Sequence, residues 1–88
     1  MYLHLGNEVT VRKADVLGVF DLDNSSQSHL TKKYLAAAEK AGQVINAAGE
    51  ELPKSFVLCA EPGRGQRVYL SQLNASTLLK RSESSGLE

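Results

Sequence analysis

The residues best able to do chemistry in this 88-residue chain are its cations. Arg12-Lys13, Lys32-Lys33, Lys54, Arg64, Arg67 and Lys80-Arg81 fall mostly beside loops or at element ends. A guanidinium or ammonium that reaches a nucleic-acid phosphate displaces a condensed counterion, so several on one rim make a salt-sensitive polyanion site. Five are the candidates for DNA contact: Arg12, Lys13, Lys54, Arg64 and Arg67. Each is taken as a phosphate-facing cation with no part in reading bases. Ten Asp and Glu balance the ten Lys and Arg, giving zero net charge. That balance weighs against a strong polyanion binder and favours a solvated surface of mixed charge. A weak patch repeated around a ring-shaped oligomer would reconcile the two, because small contacts per chain then add.

Other reactive residue types do not assemble a site. His4 and His29 have no Cys or carboxylate at metal-ligand spacing, so both are expected to be structural or surface residues. Cys59 lies inside the apolar run 56–60 and reads as a small core hydrophobe. Asp15, Asp21 and Asp23 suit loop and capping roles better than acid–base work, which needs a second group across a pocket. Gly63-Arg64-Gly65 lacks the following Lys-Ser/Thr and the strand–loop–helix setting of a phosphate loop, and reads as a turn requiring positive φ. The expectation is a non-enzyme without cofactor or metal.

The elements that carry these residues follow from hydrophobic periodicity. Tyr2-Leu3 and Leu5 open a short strand broken at Gly6-Asn7; Val9 and Val11 alternate around Thr10 as a second strand or a continuation. Residues 16–20 form an apolar strand, and the loop 21–28 ends in the N-cap candidates Asn24, Ser25 and Ser26. A helix over about 27–41 places Leu30, Tyr34, Leu35 and Ala38 on one stripe, with Gly42 at the position for a terminating glycine. Val44-Ile45 is a short strand. Residues 56–60 and 68–70 then form a hairpin around a Gly/Pro turn that carries Arg64 and Arg67, and a short helix over 75–81 begins at Asn74. The fold class is α+β: a small, mostly antiparallel β-sheet with one main α-helix and a short C-terminal helix.

Residues 1–82 read as one domain and 83–88 as a frayed polar tail ending in a cloning remnant, Leu87-Glu88. No basic-then-apolar leader opens the chain and no apolar run approaches the roughly 20 residues of a membrane span. One unpaired cysteine excludes a disulfide fold. A cytoplasmic protein with no membrane partner is expected. The strands 16–20 and 56–60 are apolar on both faces, whereas the predicted helices cover one face and little more. A second copy of the chain is therefore expected to cover the rest, as a homo-oligomer.

Taken together, His4-Leu5-Gly6 with Val9-Thr10-Val11, residues 15–21, Lys54-Ser55-Phe56-Val57-Leu58, Val68-Tyr69-Leu70-Ser71 and residues 76–81 resemble the RemB-type extracellular-matrix regulators of Gram-positive bacteria, relatives of the RemA regulators. The resemblance spans residues 1 to 82. It implies a DNA-binding activator of biofilm-matrix genes that closes into rings presenting arginines to DNA. Two family arginine positions differ: Asp15 stands before the third strand, and Glu51-Leu52 lies in the turn where an arginine pair is expected. The leading reading is a homo-oligomeric matrix-gene regulator meeting DNA through phosphates. The alternative is a protein–protein or scaffold subunit, partnered by a related regulator, that does not touch DNA.

Overall fold

The computed structural model describes residues 2–22 and 29–83. The element order is β1 (Tyr2–Gly6), β2 (Val9–Arg12), a 3-10 turn (Lys13–Asp15), β3 (Val16–Asp21), α1 (His29–Lys40), β4 (Val44–Asn46), β5 (Ser55–Glu61), β6 (Gly65–Ser71) and α2 (Ala75–Glu83). This is the expected α+β alternation. The N-cap candidates at 24–26 lie outside the described residues, as do 84–88, including Leu87-Glu88. Glu83, expected in the tail, closes α2.

The strands divide between two sheets. β1 and β2 pair antiparallel on their own, and β3-β5-β6-β4 form a four-stranded sheet. Asn7 and Glu8 turn the first hairpin with φ of 48° and 65°. Positive φ at both central residues is the geometry that matches strand twist in a two-residue hairpin. The long hairpin pairs Ser55 with Ser71 through to Glu61 with Gly65. β3 lies antiparallel along β5, with a bulge between Val16 and Gly18. Among the described strands only β4 runs parallel, beside β6.

Strand alternation sends β5 and β6 side chains to two separate cores. Val57, Cys59 and Tyr69 point to a core completed by Leu3, Leu5, Val11, Ala47 and Leu78. Phe56 and Val68 point to the opposite core with Ala38, flanked by Leu35, Val44 and Leu70. Of the predicted helix stripe, Leu35 and Ala38 pack here while Tyr34 remains 38% exposed; the side chain of Leu30 lies outside the description.

The covering argument needs correction. The face bearing Val57 and Tyr69 is closed by the chain's own β1–β2 hairpin and α2, so it needs no second copy. Two buried serines fasten this closure: Ser71 Oγ donates to the Leu5 carbonyl (2.7 Å) and Ser55 Oγ to the Leu73 carbonyl (2.8 Å). Each hydroxyl thereby satisfies a buried polar group that would otherwise cost stability. Exposed apolar side chains remain, among them Leu17 (58%) and Phe20 (45%) on the edge strand β3.

Candidate nucleic-acid interface

β3 starts beside the far end of β5, because Val16 pairs with Cys59. The 3-10 turn before it therefore lies at the hairpin-tip end of the sheet. Arg12 ends β2 and Lys13 opens that turn. Arg64 sits in the Pro62–Arg64 loop, its N–H donating to the Glu61 carbonyl (2.9 Å), and is exposed. Arg67 lies across from Cys59 on β6. Four of the five candidate cations thus share one end of the molecule. Lys54 precedes β5 at its opposite end, and a seven-residue strand spans roughly 20 Å, so Lys54 stands apart from the group.

The gathered cations are not equivalent. Arg12 grips Asp15 with two donors, Nε to Oδ2 (3.0 Å) and Nη2 to Oδ1 (3.1 Å). The guanidinium side chain is 52% exposed and the carboxylate side chain 11%. Arg12 is raised above its ordinary value, first by this hydrogen bond, then by the Asp15 charge. Arg67 Nε faces Glu61 Oε1 at 3.5 Å, an ion pair rather than a hydrogen bond. The second Glu61 oxygen accepts the Tyr69 hydroxyl. Burial first, and then this bond to an anion, push the Tyr69 phenol up to about 12.

Cys59 is fully buried beneath this group, and burial, reinforced by Glu61 and Asp15, pushes its thiol up to about 11. Such a thiol is a packing residue, not a nucleophile. His4 is exposed on β1, with its carbonyl facing Arg81 Nη1 at 3.4 Å. Among the described residues, no three His, Cys, Asp or Glu side chains cluster as a metal site. Nor is any described helix long and apolar enough to cross a membrane.

Glu61 is the site residue that motif reasoning passed over, and Asp15, expected in a loop or capping role, is the partner of Arg12 instead. Both signals were local. Arg12 and Asp15 are three apart, the spacing that meets across one 3-10 turn. A three-residue hairpin loop pairs Glu61 with Gly65, which puts Arg67 diagonally beside Glu61 on the same face.

The family model for extracellular matrix regulatory protein A-like chains (RemA-like) matches residues 2–81. Extracellular matrix regulatory protein B of Bacillus subtilis (strain 168) is 31% identical over 83 residues, covering 94% of this chain and 91% of the relative. With a single family model accounting for every strand and nearly all of both helices, the chain belongs to the RemA-like family of extracellular matrix regulatory proteins.

Proposed function

We propose that this chain is a non-enzymatic, cytoplasmic regulator of extracellular-matrix gene expression that works as a homo-oligomer and meets DNA through phosphate contacts. The observation that carries the DNA reading is the gathering of Arg12, Lys13, Arg64 and Arg67 at one end of the sheet. Arg64 at the tip and Arg67 behind it lead the contact; Lys54, at the other end, serves only where a neighbouring subunit brings it to the same rim. Self-association is supported by the β3 edge, hydrogen-bonded to β5 alone among the described strands and carrying exposed Leu17 and Phe20. An apolar, half-paired edge is a template for another chain.

Binding to duplex DNA, followed by fluorescence anisotropy at two salt concentrations on the wild type and an Arg64→Ala/Arg67→Ala variant, tests the reading. The wild type is expected to bind at low salt with a steep salt dependence, and the variant to lose affinity and about two units of log–log slope per engaged chain. No binding at low salt sinks the DNA reading; unchanged binding by the variant moves the contact off the hairpin tip. Sedimentation at micromolar concentration tests the oligomer, which a monomer would refute.

A second reading has an observation of its own. Asp15 and Glu61 neutralise two of the four gathered guanidinium and ammonium groups, which suits a subunit that regulates through a related protein and leaves DNA to it.

A further inference from the structure

We propose that Asp15 is a built-in competitor for phosphate at Arg12, setting the DNA affinity of this surface below what its cations alone would give. The proposal rests on the phosphate-binding reading above and adds to it a restraint contained in the same chain.

The geometry separates this pair from an incidental surface contact. Both Asp15 oxygens are engaged by Arg12, through the Nε and Nη2 edge of the guanidinium. That edge fits two oxygens of a phosphate as well as those of a carboxylate, so the two contend for this fork, while the end-on Nη1/Nη2 edge remains. The carboxylate side chain is 11% exposed and stays with the 3-10 turn, while the arginine lies outward at 52%. A phosphate approaching Arg12 therefore meets a neutral pair with a fixed anion at its base. It must displace the carboxylate or settle for the end-on Nη1 and Nη2 donors.

Glu61 does not play the same part. The ion pair with Arg67 is at 3.5 Å through Nε, beyond ordinary hydrogen-bond length, and the other Glu61 oxygen accepts the Tyr69 hydroxyl. Glu61 thus holds its arginine at ion-pair distance, whereas Asp15 takes two hydrogen bonds from Arg12.

The test is a double-mutant cycle on DNA binding at fixed salt with Asp15→Asn, Arg12→Ala and the two combined. Asp15→Asn keeps the side-chain shape and removes the charge. It is expected to tighten binding about three- to fivefold per engaged chain, the scale of a partly exposed ion pair, and to steepen the salt slope by about 0.9. The gain is expected to vanish when Arg12 is already alanine. An equal gain without Arg12 would show that Asp15 acts through the general field and would overturn the proposal. So would wild-type binding that Asp15→Asn leaves unchanged, with the phosphate reading intact. A wild type that is silent at low salt removes the phosphate reading and the restraint with it. Thermal melts of Asp15→Asn and Asp15→Ala check that the fold is kept.

Discussion

The two faces of the four-stranded sheet are built from the same strands and finished in opposite ways. On one face Val57, Cys59 and Tyr69 are at most 6% exposed beneath β1, β2 and α2. On the other, α1 packs mainly over β4 and β6. There Phe20 stacks on Phe56 (centroids 4.9 Å apart, planes 19° from parallel) yet keeps 45% of its surface exposed. Shallow apolar grooves of about 400 and 280 Å³ flank α1, the larger reaching Pro53 and Leu70 and the smaller lined by Phe20, Tyr34 and Leu58. A chain of 88 residues has little apolar surface to distribute. This one buries most of it on the closed face and leaves Phe20 half-exposed on the other.

That contrast predicts unequal costs for similar truncations. Leu78 on α2 is fully buried in the closed core, so Leu78→Ala removes its burial and leaves a cavity, at a cost of about 3 kcal/mol. Phe20→Ala removes a larger side chain but only half of it is out of water; the loss is about 1–2 kcal/mol, aromatic stacking included. Urea denaturation of both variants checks the ordering. If Phe20→Ala were the more damaging, Phe20 would be covered in solution by something beyond the described residues, and a second copy of the chain would be the first candidate.

The closed face also protects chemistry. Cys59 and Tyr69 are raised to about 11 and about 12, so the folded state holds their protons more tightly than the unfolded chain does. The stability they contribute is complete below the unfolded values. It is lost as pH climbs to those folded values, from about 9 for the thiol and about 10 for the phenol. Stability measured from pH 8 to 12 is expected to fall across that window, and Cys59→Ala to remove the earlier part of the fall. At pH 8 the native thiol is expected to react with a disulfide reagent orders of magnitude more slowly than the urea-unfolded one. Fast labelling of the native protein would mean that the closed face opens.

Much of this contrast was legible from local pattern, and its decisive part was not. The apolar runs 16–20, 56–60 and 68–70 and the helical stripe at 35 and 38 identify strands and helix because period and turn residues are local signals. The closure of one face depends on Ser71 reaching Leu5, 66 residues away in sequence, and on Leu78 docking under β1. Apolar residues on both faces of a strand show that both are covered, but not by which segment. Reading that as a demand for a second chain overlooked the N-terminal hairpin. The cations divide the same way. Arg64 and Arg67 are visible at a tip from the turn residues, while the separation of Lys54 needs the length and direction of β5, and the neutralisation of Arg12 needs the 3-10 turn.

The smallest predicted effect lies at the turn from α1 into β4. α1 ends with Gly42 at φ 74°, where its N–H donates to the Glu39 carbonyl (3.0 Å) and the next N–H, of Gln43, to Ala38 (2.9 Å). These paired bonds satisfy carbonyls that a helix end leaves open, and they require a left-handed residue between them. The Gln43 carbonyl then accepts from Val68, so the turn aims the chain directly into β4 alongside β6. No atom lies within 4 Å of the position a Cβ would take at Gly42, so Gly42→Ala incurs only backbone strain, about 1 kcal/mol. Gly42→Asn is expected to cost less, because asparagine tolerates this conformation. Equal melting temperatures for wild type, Gly42→Ala and Gly42→Asn would show that α1 is held by its packing on the sheet alone. A graded loss, alanine worse than asparagine, would show that the turn contributes to fixing the helix where Leu35 and Ala38 meet the sheet.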